Sequence, residues 1–337
     1  MEKWYRQPPH QGDIGISTRV RLARNVKQFP FKEKISSSGQ IQLNQMVKSA
    51  LKRMDLGHNK FGFIELQELS ELERIALLEQ NLVSRTFLTK PENRMLVLSE
   101  DHSVSIMVNE EDHIRIQVLR SGMDLEGAYQ LCNKIDDILS ETLDFAFDDT
   151  LGYLTVSPTN LGTGLRASVL LHLPALERIQ IIPQLMKTVS RMGLVIRGSY
   201  GEETGVIGSA YQIANQVTLG LSEQMEISNL QNIVRQGMES ERGARADILN
   251  NIEVIDEICR SYGILKYARM ITSKEAYAHL SNVRLGVSER ILEEVSLETL
   301  NQLLNSVGEA TLSVRANQHL NARERDLDRA RLIRDLI

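Results

Sequence analysis

All seven prolines of this 337-residue chain lie at or before Pro183, and the last 154 residues contain none. Only five of its 21 glycines lie beyond Ser222. Proline and glycine punctuate turns and strand ends, and they are the residues least tolerated inside helices. Their distribution predicts two architectures in series. The expected fold class is α+β: an antiparallel β-sheet flanked by helices over residues 1–250, followed by a helical C-terminal domain over residues 251–337.

Local patterns fill in this outline. Ser70 and Glu73 have capping-box spacing for a helix running to about Val83. Met95 to Leu98, Val104 to Val108 and Ile114 to Leu119 read as strands, and the short intervals between them favour antiparallel hairpins. Asp124 to Leu139 reads as an amphipathic helix, and Tyr153 to Val156, Ala167 to Leu173 and Leu194 to Arg197 as further strands. Pro174 opens a helix expected to continue through Ser190. From Glu226 onward the apolar residues recur at helical spacing, as in Ile227, Leu230, Ile233 and Val234, and Leu292 to Leu304 continues the pattern.

Composition excludes some classes of function. A net charge of -5 gives no global attraction to nucleic acid or anionic lipid, so any phosphate binding must come from local arginine clusters. Two cysteines, Cys132 and Cys259, are too few for a disulfide framework or a zinc site, which fits a reducing, cytoplasmic setting. The first residues lack the apolar core of a signal peptide, and no apolar run reaches membrane-spanning length.

Four segments carry chemistry. In Ser17-Thr18-Arg19-Val20-Arg21, strand alternation puts Arg19 and Arg21 on one face, where an anion could bridge them; the segment reads equally as a basic edge strand in water. Asn109-Glu110-Glu111-Asp112-His113-Ile114-Arg115 is an acidic hairpin turn, or a carboxylate held at a strand end beside an arginine. The turn-rich run Ser157-Pro158-Thr159-Asn160-Leu161-Gly162-Thr163-Gly164-Leu165-Arg166-Ala167-Ser168 is a connection, or a loop that brings backbone N–H groups and Arg166 to an anion. It is not a Walker A loop, and the protein-kinase motif set is missing. Finally, Arg197 precedes a glycine-punctuated loop carrying Glu202, which is a surface loop or a mobile lid over a ligand.

In this order the four segments resemble the catalytic core of the guanidino (phosphagen) kinases, the family of arginine and creatine kinase. Only 16 residues precede Ser17, where those enzymes carry an extra helical domain that closes over a small substrate. The layout is similar instead to the bacterial protein arginine kinases of the McsB type. The tail sequence Arg325-Asp326-Leu327-Asp328-Arg329-Ala330 fits that group's phosphoarginine-binding motif.

The resemblance implies transfer of the ATP γ-phosphoryl to protein arginine side chains. It implies Glu111 as principal base and Glu202 as second clamp. Arg19, Arg21, Arg115, Arg166 and Arg197 are implied as nucleotide-binding arginines. The wider ATP-binding set is Ser17, Thr18, Val20, Ala167, Ser168, Val169, Leu170, Gly198, Ser199, Tyr200, Gly201 and Glu202. Mg²⁺ is implied to enter with ATP and to need no dedicated protein cage. Arg325, Asp326, Arg329 and Ala330 are implied as an allosteric phosphoarginine site. The implied partners are a Clp ATPase/protease, a zinc-binding activator (McsA type), a heat-shock repressor (CtsR type) and a second copy of the chain, in a stress response. Two positions depart from the family pattern. Ser157 stands where a cysteine is usual, and Val83 to Lys90 lacks the histidine that relatives place near adenine. The alternatives are a kinase for a small guanidino compound such as free arginine, or a weakly active phosphoarginine-binding regulatory protein.

Overall fold

A computed structural model describes residues 1–32, 34–52, 60–198 and 208–337. Its strands are β1 (Gly15–Arg24), β2 (Phe61–Glu65), β3 (Met95–Ser99), β4 (Val104–Val108), β5 (Ile114–Ser121), β6 (Phe147–Asp148), β7 (Gly152–Tyr153), β8 (Leu165–His172), β9 (Leu194–Gly198) and β10 (Ala210–Asn215). Its helices are α1 (Ser37–Lys52), α2 (Glu71–Glu79), α3 (Arg85–Leu88), α4 (Leu125–Ser140), α5 (Pro174–Arg178), α6 (Ile182–Arg191), α7 (Glu223–Ile248), α8 (Ile252–Tyr267), α9 (Ser273–Ser288), α10 (Leu297–Leu304), α11 (Glu309–Arg315) and α12 (Ala322–Leu336).

The fold is α+β. Eight strands form one sheet in the order β2-β3-β4-β5-β1-β8-β10-β9, and every neighbouring pair is antiparallel. Alternation decides what each face does. On one face Val20 and Leu22 of β1, Ile116 and Val118 of β5, and Ala167 and Val169 of β8 are buried against α1, α4 and α7. The opposite face is apolar only at one end. There Leu96, Leu98, Met107 and Leu119 pack with Trp4, Leu66, Leu82 and Phe87. The rest of that face carries the arginines.

Beyond α7 a separate apolar cluster binds α8 to α12, and Ile248 packs against both this cluster and the sheet core. Glu79 at the end of α2 joins the halves. Its carboxylate accepts from Ala310 N (3.0 Å), Thr311 N (2.8 Å) and Thr311 Oγ1 (2.7 Å) at the start of α11.

Some local expectations change. The Ser70–Glu73 capping box forms, but α2 stops at Glu79 because Asn81 takes φ 59°. The helix expected from Pro174 through Ser190 is two helices. Pro183 cannot donate to an i−4 carbonyl, and the chain reverses at Gln180 with φ 59° before restarting. Tyr153 to Val156 is not one strand; β7 ends at Tyr153, and Val156 N donates to Asp112 Oδ1 instead. Leu292 to Leu304 yields a helix only from Leu297, capped by Ser296. Strand β1 is no edge strand, since it pairs on both sides.

Candidate active site

Because β1 sits between β5 and β8, its arginines meet those of its neighbours. Arg21 lies directly opposite Arg166, and Arg19 opposite Ser168. Arg115 lies opposite Ala23, two positions from the Gln117 that faces Arg21. Arg197 lies opposite Gln212, which lies opposite Leu170. The five expected arginines therefore share one face of the sheet.

That gathering is electrostatically unfavourable by itself. Among the described residues, only Arg115 of the five has a carboxylate within ion-pair distance. Burial, with Arg115 and Arg166 adding to it, lowers the Arg19 pKa to about 10. Burial, then Arg19, Arg115 and Arg166, push Arg21 well below its ordinary value. Arg166 is lowered by burial, then by Arg197 and Arg115. The Nε atoms of Arg19 and Arg21 and Nη1 of Arg166 are buried without a hydrogen-bond partner among the described residues. Clustered cations with open donors are the arrangement that a polyanion completes.

The acidic turn between β4 and β5 separates its side chains by role. Asn109 takes φ 64°, and its amide donates to Asn93 O and Asn44 Oδ1. Glu110 is 1% exposed, binds Arg115 Nη1 at 2.9 Å and accepts from Ser84 Oγ at 2.6 Å. Burial opposes its charge, but Arg115 and Ser84 outweigh burial and its pKa is lowered. Asp112 accepts from Asn25 Nδ2 (2.7 Å) and Val156 N (2.8 Å), tying the turn to the next loop. His113 Nδ1 accepts from Val26 N at 3.0 Å, so its Nε2 carries the proton donated to Pro30 O at 3.1 Å.

Glu111 is left facing outward. Its side chain is 36% exposed, and its one ion pair among the described residues, to Arg115, is 3.8 Å long. Partial burial raises its pKa, Arg115 offsets part of this, and Glu110 and Asp112 add to it. A partly exposed carboxylate with raised basicity and a row of arginines beside it can orient and deprotonate a cationic nucleophile.

The loop before β8 is held close to both groups. Gly162 (φ 109°) must lack a side chain, since a Cβ there would lie 2.2 Å from Thr218 O. Ser157 is partly exposed, and its hydroxyl lies 2.9 Å from Thr159 Oγ1. Gly198 ends β9. Ser199, Tyr200, Gly201 and Glu202 lie outside the described residues.

The tail motif lies on α12. Arg329 is 1% exposed and donates to Val307 O (2.9 Å), Ile271 O (2.9 Å) and Asp326 Oδ1 (2.6 Å). Ala330 is buried. Arg325, 25% exposed, pairs with Glu309 at 3.0 Å, and Asp326 is partly exposed. Among the described residues no group of three or more His, Cys, Asp or Glu could hold a metal ion, and no helix is long and apolar enough to cross a membrane.

Two regions of the chain match known families. The model of the ATP:guanido phosphotransferase C-terminal catalytic domain matches residues 42–244. That of the protein-arginine kinase McsB C-terminal domain matches residues 251–337. The chain is 44% identical to a protein-arginine kinase of Brevibacillus brevis over 98% of this chain and 94% of the relative. It is 40% identical to one of Clostridium acetobutylicum over 99% of each chain. Among solved structures, it is similar to a duplicated taurocyamine kinase from Schistosoma mansoni with bound transition-state-analogue components (TM-score 0.62, 31% identity), covering 68% of this chain and 33% of that one. A lombricine kinase shares the fold, with TM-score 0.63, 21% identity, and 71% and 69% of the two chains covered.

Proposed function

The chain belongs to the ATP:guanido phosphotransferase family, in its protein-arginine kinase branch, and from that premise we propose that it transfers the γ-phosphoryl of ATP to arginine side chains of proteins. The family implies ATP as substrate. The observation that carries the reading is one sheet face of arginines with open donors, bordered by Glu111, the outward-facing carboxylate of its turn.

The geometry supports a division of roles. Arg19, Arg21, Arg166 and Arg197, with Arg115 at the border, take the triphosphate and spread the charge that develops on the moving phosphoryl group. A guanidinium is protonated at any ordinary pH and is a poor nucleophile until a base withdraws its proton. Glu111 grips the target guanidinium and accepts that proton. The guanidine nitrogen forms the P–N bond, the bond between the γ-phosphorus and the β–γ bridging oxygen breaks, and ADP departs with that electron pair. Glu202 is the second clamp in this proposal. Mg²⁺ would ride on the phosphates, shielding their charge, with water and phosphate oxygens as its ligands. Ser157 contributes a neutral hydroxyl where relatives have a thiol, so it hydrogen-bonds the guanidinium without adding charge.

Arg325 and Asp326 form the ligand-facing part of a phosphoarginine site, with Arg329 as its anchor. The same proposal includes a cytoplasmic homodimer that marks damaged proteins for a Clp protease, with an activator of the McsA type and a repressor of the CtsR type as partners.

The test incubates the protein with Mg-ATP and either free arginine or an arginine-bearing protein. Acid-labile phosphate on the protein alone is the expected result. Transfer only to free arginine would make this a small-guanidino kinase. No transfer, with retained binding of a phosphoarginine peptide, would make it a binding protein.

A further inference from the structure

Strand β10 stops one position short of Arg166. Its ladder with β8 runs from Ala210 opposite His172 to Ala214 opposite Ser168. The chain then turns away, and Gln216 N donates to Gly193 O at 3.1 Å. The peptide groups flanking Arg166 on that side would lose their partners, but the side chain of Asn215 supplies them. Ala167 N donates to Asn215 Oδ1 at 2.8 Å, and Asn215 Nδ2 donates to Leu165 O at 2.9 Å. The carboxamide stands in for a peptide group and extends the ladder past the arginine.

The two backbone groups fix which end of the carboxamide is which, since a flip would set donor against donor and acceptor against acceptor. Glu226 holds it in place from behind. Glu226 Oε2 accepts from Asn215 Nδ2 at 2.6 Å, so both amide hydrogens are engaged and the side chain is anchored against the strand. The other carboxylate oxygen accepts from Thr163 Oγ1 at 2.8 Å, which ties down the loop entering β8. Asn215 and Glu226 are each 2% exposed and lie beneath the surface.

We propose that Asn215 and Glu226 are positioning residues for Arg166, holding the start of β8 in the register that aims its guanidinium at the phosphates. The proposal rests on the reading of Arg166 as a phosphate-binding arginine. The arrangement is not one that stability favours. Burial raises the Glu226 pKa to about 7, with Glu223 also raising it and Thr163, Asn215 and Arg166 opposing.

The experiment measures kcat and KM for ATP and for an arginine-bearing protein, in the full chain, for Glu226→Leu, Glu226→Gln, Arg166→Ala and Arg166→Ala/Glu226→Leu. Leucine removes the acceptor. Glutamine can still accept from Asn215 through its oxygen, while Thr163 Oγ1 accepts from its amide. Glu226→Leu should lower kcat/KM for ATP roughly ten-fold with little change in KM for the protein, and Glu226→Gln should restore it to within about two-fold. In the double variant the leucine should add nothing beyond Arg166→Ala, since it acts through that residue. Multiplying effects, or equal losses with leucine and glutamine, would overturn the proposal. Unchanged ATP use in Arg166→Ala would instead remove its premise. If Glu226→Leu does not fold, Asn215→Ser takes its place and must reproduce the ATP defect and the non-additivity.

Discussion

On the helical side of the molecule, Arg329 gives its donors to Val307 O, Ile271 O and Asp326. At the junction of the two halves, Arg245 meets Glu241, Glu289, Asp13 O and His172 O. On the sheet face, Arg19, Arg21 and Arg166 are as crowded but leave buried donors unmet among the described residues. The same residue type does opposite work. Where carbonyls and carboxylates consume the fork, the arginine fastens elements together. Where like charges surround it and donors stay open, the fold holds charge ready for an anion at a cost in stability. Arg284 stands between the two. It donates to Asn301 Oδ1, Gly12 O and Gly15 O, yet burial first and then Arg245 lower its pKa to about 9.

The largest effect should come from separating chemistry from anion binding. Glu111→Gln should reduce phosphoryl transfer by roughly 10²–10⁴, the usual range for a lost general base. ATP affinity measured by calorimetry should stay within about two-fold, because the open donors lie on the sheet face. Lost ATP binding in a folded variant would place Glu111 among the nucleotide contacts and break the division.

A crossed pair tests the comparison directly. Arg21→Met should lower transfer by roughly 10²–10³ with an unchanged or raised unfolding temperature, since it relieves repulsion. Arg245→Met leaves the buried Glu241 carboxylate without its counter-charge, held only by Ala175 N and Leu176 N, and takes a donor from the His172 carbonyl, so it should cost about 3–5 kcal/mol in denaturant midpoint measurements. Similar stability losses in both variants would erase the distinction.

Within the tail motif the same rule predicts a smaller split. Lysine cannot reach three diverging acceptors, so Arg329→Lys should cost about 1–3 kcal/mol of stability. Arg325→Ala should cost under about 1 kcal/mol, as its pair is partly exposed. Only Arg325→Ala should weaken binding of a phosphoarginine peptide, read by fluorescence polarisation, in a protein of unaltered stability.

The comparison also shows what a sequence does and does not reveal. Alternation in β1 puts Arg19 and Arg21 on one face before their partners are known, whereas the sharing of that face by Arg115, Arg166 and Arg197 depends on strand order and register. Nothing in the run Glu110-Glu111-Asp112 says which carboxylate turns outward. That depends on Ser84, Arg115, Asn25 and Val156, which come from four other places in the chain or sheet. The motif around Arg329 names a residue but not whether its donors are free, because Val307 and Ile271 offer only backbone oxygens. Asn215 and Glu226 carry no pattern at all. Their role exists because β10 ends where it does, which is a property of register.

The smallest prediction concerns pH at the junction. His172 lies between the two kinds of arginine, and burial, then Arg245 and Arg284, hold its pKa well below the ordinary value. Its Nδ1 faces Arg245 Nη2 at 3.3 Å, so Nδ1 accepts and Nε2 donates to Ser281 Oγ at 2.8 Å on α9. The ring is thus neutral when folded, whereas the unfolded chain protonates it below about pH 6.5. The unfolded state then binds more protons, so stability contributed here is present above that pH and falls as pH drops below it. The slope approaches about 1.4 kcal/mol per pH unit. Glutamine can reproduce both bonds without titrating, so His172→Gln should flatten the decline in unfolding free energy between about pH 6.5 and 5. Glu111, raised in pKa and remote from this network, should keep its acid limb of phosphoryl transfer in that variant. If the acid limb moved with the stability curve, the junction and the active site would titrate as one unit, and the line between fastening and anion-binding arginines would have to be redrawn to include His172.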